Sequence, residues 1–169
     1  MINAPGGNHD ALGLRIRRML GPGTQIIDMH KQAAGPSGSA PTGRSRSYLD
    51  LYKRSAARCD GLSWTVLAAI GQIESGHGRN NGPSTAGALG PMQFMPATWR
   101  SYGMDGDGDR RADIQNPYDA VPSASRYLCA NGAGRGGKAL YTAVWRYNHS
   151  DEYVRQVLGL AQAYARAYR

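Results

Sequence analysis

Glu74 closes an otherwise apolar stretch running from Ser63, in which Val66, Leu67, Ile70 and Ile73 recur at helical spacing. Ser63 is a ready N-cap, and Gly76 and Gly78 are ready terminators. A carboxylic acid held at the border of an apolar stripe resists ionisation and can keep a proton to donate. That is the position of a general acid, although a surface glutamate ending an ordinary helix has the same local pattern. A second segment, Ser84 to Pro96, runs through small residues from Ala86 to Gly90 and then places one amide, Gln93, between Met92 and Phe94. Small residues allow close backbone approach, and a lone hydrogen-bonding group among apolar neighbours suits an uncharged polar ligand such as a sugar. Taken alone, the segment reads more readily as a tight turn before a helix running from Pro96 through Trp99. A third, Trp145 to Tyr153, offers the phenol of Tyr147 and the amide of Asn148. It is also readable as a joint between helices with Asn148 or Ser150 as N-cap. His77 stands between two glycines and reads as a loop residue rather than a base.

The run Asp105-Gly-Asp107-Gly-Asp109-Arg-Arg111-Ala-Asp113 puts carboxylates at positions 1, 3, 5 and 9 of an EF-hand-like loop, with the Arg111 carbonyl at position 7. Alternating Asp and Gly lets a short backbone wrap a hard cation. Two departures stand out: Arg110 occupies position 6, where glycine is usual, and Asn116 occupies position 12, where a bidentate carboxylate is expected. Asp119 is close enough in sequence to substitute. The expectation is a weakly held structural Ca2+ with no part in catalysis.

These segments need helices to position them. Helical patterns are legible at Tyr48–Cys59, Ser63–Glu74, Pro96–Tyr102, Ala120–Asn131, Gly137–Tyr147 and Asp151–Arg169, and strand patterns are nearly absent. The expected fold class is therefore mainly α. A chain of 169 residues is long enough for one domain with a sizeable core. Residues 1–47 stand apart: Leu12–Leu20 reads as a short basic helix, Thr24–Ala34 as another small element, and Gly35–Ser47 as a flexible Gly/Ser/Pro linker. The division expected is 1–47 as a basic segment with linker, and 48–169 as the folded domain.

Together the three segments resemble the lytic transglycosylases of the lysozyme-like superfamily, and among them the membrane-bound lytic transglycosylase B branch. Gln-Ile-Glu74-Ser-Gly-His-Gly resembles the catalytic glutamate motif. Ala86-Gly-Ala-Leu-Gly-Pro-Met-Gln93-Phe-Met-Pro resembles the Gly-x-x-Gln block, and Arg146-Tyr-Asn-His-Ser-Asp-Glu-Tyr153 the Tyr-Asn block. The blocks occur in the family's order across about residues 48 to 160. The resemblance implies a lysozyme-like fold and cleavage of the MurNAc-β-1,4-GlcNAc bond of peptidoglycan, closing a 1,6-anhydro ring. Glu74 would act as general acid and then general base. Ser84, Met92, Gln93 and Phe94 would bind substrate, with Tyr147 and Asn148 positioning Glu74 and the sugar. Such chemistry needs no second carboxylate and no cofactor, and Glu74 and Glu152 are the only glutamates in the chain. The alternatives are a hydrolytic muramidase and a non-catalytic wall-binding module.

Charge and cysteines agree with that setting. A net charge of +8 suits an acidic partner such as a bacterial wall. The cations are scattered without a basic-aromatic motif, so no nucleic-acid partner is expected. Residues 1–11 do not read as a signal peptide and no run approaches the length of a membrane span, yet the implied substrate lies outside the cytoplasm. The expectation is an extracytoplasmic monomer, secreted, wall-associated or phage-delivered, acting on glycan strands. Cys59 and Cys129 are compatible with a disulfide or with two buried thiols.

Overall fold

The computed structural model describes residues 25–34 and 47–168. Six α-helices form among these residues: α1 (Tyr48–Ala56), α2 (Trp64–Ser75), α3 (Pro96–Tyr102), α4 (Pro117–Ala130), α5 (Gly137–Asn148) and α6 (Asp151–Ala167). A 3-10 turn at Ala133–Arg135 joins α4 to α5. Extended pairing among the described residues is limited to two isolated antiparallel bridges, Gln32 with Ser47 and Leu89 with Phe94. None of the helices is long and apolar enough to cross a membrane.

The helix ends follow local chemistry. Ser47, Ser63, Asn116 and Ser150 each accept a hydrogen bond from a backbone N–H in the first turn of the helix that follows. α2 stops at Gly76, whose φ of 62° places it in the left-handed region; its N–H turns back to the Gln72 carbonyl. α4 starts at Pro117 rather than Ala120, because Asn116 caps it and Pro117 has no N–H to satisfy at the first position. Asn116, expected at the end of the cation loop, is therefore spent on the helix.

α2 is the central element. It packs most extensively on α6 and also on α1, while α1 packs on α4. Every residue from Thr65 to Ser75 is buried, so Glu74 is inside the protein and not at the border of a stripe. At roughly 25 cal/mol per Å2 of apolar surface, burial of Val66, Leu67, Ile70 and Ile73 is the main force holding this helix in place. Cys59 and Cys129 form a disulfide, with Cα atoms 5.7 Å apart, which staples the turn after α1 to the end of α4.

Residues 25–34 are not separate from this body. Met29 and Ala33 are fully buried, and the Met29 and Lys31 carbonyls accept from the N–H groups of Leu49 and Tyr48. Gln72 of α2 holds the segment from both sides: its Oε1 accepts from Ile27 N at 3.0 Å and its Nε2 donates to the Gln25 carbonyl at 3.1 Å. The apparent boundary at residue 47 thus hides a strap that belongs to the core. The expected basic helix Leu12–Leu20 and residues 35–46 of the expected linker lie outside the described residues.

Candidate functional site

α2 carries Glu74 to the place where the segment preceding α3 meets the junction of α5 and α6. Glu74 has no exposed surface. Its Oε2 accepts from the Tyr153 phenol at 2.8 Å. Burial pushes that phenol well above its ordinary range, and the neighbouring Glu74 adds to the shift, so Tyr153 remains a proton donor. Ser75 pins the helix end: its hydroxyl donates to the Pro91 carbonyl at 2.7 Å and accepts from Gly78 N at 2.8 Å.

The Tyr147 ring stacks on Tyr153, with centroids 6.4 Å apart and planes 17° apart. Its hydroxyl donates to the Met92 carbonyl at 2.8 Å. Tyr147 is thus a strut between α5 and the Gln93 segment, and the phenol on the carboxylate is Tyr153. In the sequence Tyr153 stands only at the end of the Arg146–Tyr153 block. Its position three residues after the Ser150 cap was the available signal, since it puts the ring on the first inward turn of α6.

The other residues chosen from sequence are placed as follows. Met92 and Phe94 are fully buried, as Glu74 is, and Phe94 packs edge-on against Trp99 with ring centroids 4.9 Å apart. Gln93 is also buried, in the left-handed region at φ 53°, and its amide nitrogen donates to the Gly90 and Gly82 carbonyls. Its amide oxygen meets no donor. Asn148 is only 1% exposed, yet neither its amide nitrogen nor its oxygen is hydrogen-bonded. A buried amide group left unsatisfied costs about 1–3 kcal/mol. Ser84 is half-buried; its hydroxyl accepts from Ala88 N at 3.0 Å and shapes the turn. Left-handed backbone recurs here, at His77 (φ 56°), Gln93 and His149 (φ 49°). Such strain concentrates where a particular side-chain direction is required.

His77 lies in the turn after α2, as expected of a loop residue, but its ring is turned into the core. It is fully buried, with Nδ1 2.7 Å from the Tyr52 hydroxyl and Nε2 2.8 Å from the Tyr164 hydroxyl. Tyr164 donates onward to Gln72 Oε1, which directs the His77 proton to Nε2 and leaves Nδ1 to accept from Tyr52. Burial, with Arg79 adding, lowers its pKa from 6.5 to about 3.

The acidic loop gathers Asp105, Asp107, Asp109 and Asp119, with carboxylate oxygens all within 4.8 Å of one another. Asp113 is not among them: its Oδ1 accepts from Gln115 N at 2.9 Å. Asp119 reaches in from α4 and accepts from Gly106 N at 2.7 Å and Asp113 N at 2.9 Å. Burial first, and then the neighbouring Asp107 and Asp105 carboxylates, raise its pKa to about 6. Asn116 donates to Asp107 Oδ2 at 2.8 Å. Arg110 accepts the turn at position 6 at the cost of a φ of 70°. Gly106 lies against the Tyr118 carbonyl, where an added Cβ would fall 1.8 Å from that oxygen. Pro122 has no N–H to give this carbonyl, and the loop packs onto it there.

Residues 66–143 match the family model described as transglycosylase SLT domain. Membrane-bound lytic murein transglycosylase B of Escherichia coli is 37% identical over 60 residues, covering 36% of this chain and 17% of that protein. L-Ala–D-Glu endopeptidase of Bacillus subtilis is 26% identical over 149 residues, covering 76% of this chain and 44% of that protein. The chain thus spans less than half the length of either relative. Among solved structures, the lytic transglycosylase Slt35 of Escherichia coli in complex with calcium superposes with a TM-score of 0.63 at 20% identity, over 71% of each chain.

Proposed function

We propose that this chain is a peptidoglycan lytic transglycosylase, with residues 48–168 and the 25–34 strap as its catalytic unit. The observation that carries the reading is a carboxyl buried at a helix end with the Tyr153 phenol hydrogen-bonded to it, and no second buried carboxylate free to serve it among the described residues. Among the described residues the other buried acid is Asp119, which is committed to the acidic loop, while Asp151 and Glu152 are exposed. A mechanism with one acid/base group suits that arrangement. Glu74 would give its proton to the glycosidic oxygen as the bond from the MurNAc anomeric carbon breaks. Its carboxylate would then take the proton of the MurNAc 6-hydroxyl as that oxygen bonds to the anomeric carbon. No water is consumed, and Glu74 ends protonated as it began.

Tyr153 would steady the carboxylate through the cycle. The amide of Asn148 and the amide oxygen of Gln93, all without partners, are suited to an N-acetyl sugar, which offers both a carbonyl and an N–H. Ser84 would line the approach and Met92 and Phe94 would form apolar walls beside Gln93, with Tyr147 holding that segment through the Met92 carbonyl. Because Glu74 is fully covered, glycan reaches it only when that cover opens.

The four gathered carboxylates fit a hard cation, and we assign them a structural Ca2+ held by Asp105, Asp107, Asp109 and Asp119, with the Arg111 carbonyl available to it. Its chemistry would be charge neutralisation that fixes the loop against α4. The protein would work as a monomer outside the cytoplasm, on wall glycan and without a catalytic cofactor. Cutting peptide bonds with a thiol is disfavoured, since both cysteines are in the disulfide.

The test is mass spectrometry of purified peptidoglycan digested with the protein and with Glu74→Gln. Products ending in 1,6-anhydromuramic acid, absent with the variant, are expected. Reducing muramic ends would make the chemistry hydrolytic. Intact glycan that the protein still binds would mark it as a wall-binding module.

A further inference from the structure

Between α1 and α4, the protein surface holds two adjoining cavities of about 340 Å3 and about 450 Å3, both bordered by Arg58 and Pro122. Neither is lined by Glu74, Gln93, Tyr147, Asn148 or Tyr153. The first adds Arg54 and the second Arg126, so three arginines line one groove. All three are exposed. None is in an ion pair among the described residues, where the pairing found is His30 with Asp28. Arg58 instead rests Nη1 on the Met104 sulfur at 3.8 Å. Nearby carboxylates do not answer this charge: Asp50, one turn before Arg54 on α1, is not bonded to it, and Asp105 is turned into its own loop by the N–H groups of Gly108 and Arg110.

The floor between the arginines is apolar, made by Leu51, Pro122, Met104 and the Cys59–Cys129 disulfide. Guanidinium groups pair bidentately with carboxylates, and an apolar floor rewards small aliphatic side chains. A phosphate polymer would meet the arginines and leave the floor uncovered.

We infer that this groove binds a short acidic peptide, with its carboxylates on Arg54, Arg58 and Arg126 and small apolar side chains on the floor between them. Peptides of that kind hang from wall glycan, and the groove would hold one at a distance from Glu74. That last link rests on the proposed function, whereas the binding itself does not, and it is read with no bond cut.

The experiment is fluorescence anisotropy of the full chain with a labelled peptide of alternating alanine and glutamate. Saturable binding that weakens with salt is expected. Arg58→Ala should weaken it about tenfold or more, because each lost charge-assisted contact is large on this scale. Arg58→Lys should fall between, and Arg166→Ala, which removes an exposed charge on α6, should bind as the parent does. Circular dichroism establishes that each variant is folded. Absence of binding overturns the inference, as does equal binding of the alanine–glutamine peptide or equal loss with Arg166→Ala. Tighter binding of sodium polyphosphate to the same arginines would overturn the peptide assignment in favour of a phosphate ligand.

Discussion

Lowering the pH from 7 to 5 should destabilise this protein through one side chain. His77 has both ring nitrogens engaged by phenols inside the core, and its pKa is lowered from 6.5 to about 3. The folded state therefore keeps it neutral where the unfolded chain protonates it. A depressed histidine pKa means stability is present in full above 6.5 and is lost as pH falls toward 3. At pH 5 the unfolded chain has gained its proton roughly thirtyfold in weight and the folded protein hardly at all, a loss of about 2 kcal/mol relative to pH 7. The figure is insensitive to the folded pKa, since at pH 5 any value near 3 or 4 leaves the folded histidine neutral.

Asp119 acts in the opposite direction, because its raised pKa favours the folded state as pH falls toward 5. A comparison removes it. His77→Asn keeps a residue type tolerant of the left-handed backbone but has no group that titrates in this range. The stability gap between parent and variant, measured by urea unfolding at matched ionic strength, should shrink by about 2 kcal/mol between pH 7 and pH 5. A gap that stays constant over that range would refute the buried neutral histidine.

Tyr153→Phe removes the phenol from Glu74 and should lower kcat about 10- to 100-fold, the weight of one hydrogen bond to a carboxylate, while shifting the pH profile of the reaction. A role in packing alone would leave that profile unmoved. Replacing Cys59 and Cys129 with serine opens a link spanning 70 residues and should cost about 4 kcal/mol in the loop-entropy picture, read as a lower unfolding midpoint matching that of the reduced parent. Calcium at about 100-fold above its Kd should raise Tm by on the order of 5 °C. Asp119→Asn should abolish most of that rise, and an unchanged calcium response would place the ion elsewhere.

The sequence by itself determined what depends on neighbours along the chain. Ser63 and Gly76 marked the ends of α2 because caps act within a turn, and the apolar spacing of Val66, Leu67, Ile70 and Ile73 announced the helix between them. The three segments around Glu74, Gln93 and Asn148 were legible for the same reason, each being a local cluster of chemistry-bearing residues. What only the tertiary structure decided depends on which surfaces meet. Tyr153, and not Tyr147, reaches Glu74, because α6 packs across α2 at that height. Met92 and Phe94 face the core, a choice that an apolar side chain in a turn does not declare. Asp119 and not Asp113 joins the acidic cluster, because α4 packs against the loop and its first turn carries Asp119 to the N–H groups of Gly106 and Asp113. Residues 25–34 join the core through Gln72, a contact across more than 40 residues that no local pattern carries. His77 is a core histidine for the same reason: its partners Tyr52 and Tyr164 stand 25 and 87 residues away, and only folding brings them to its two nitrogens.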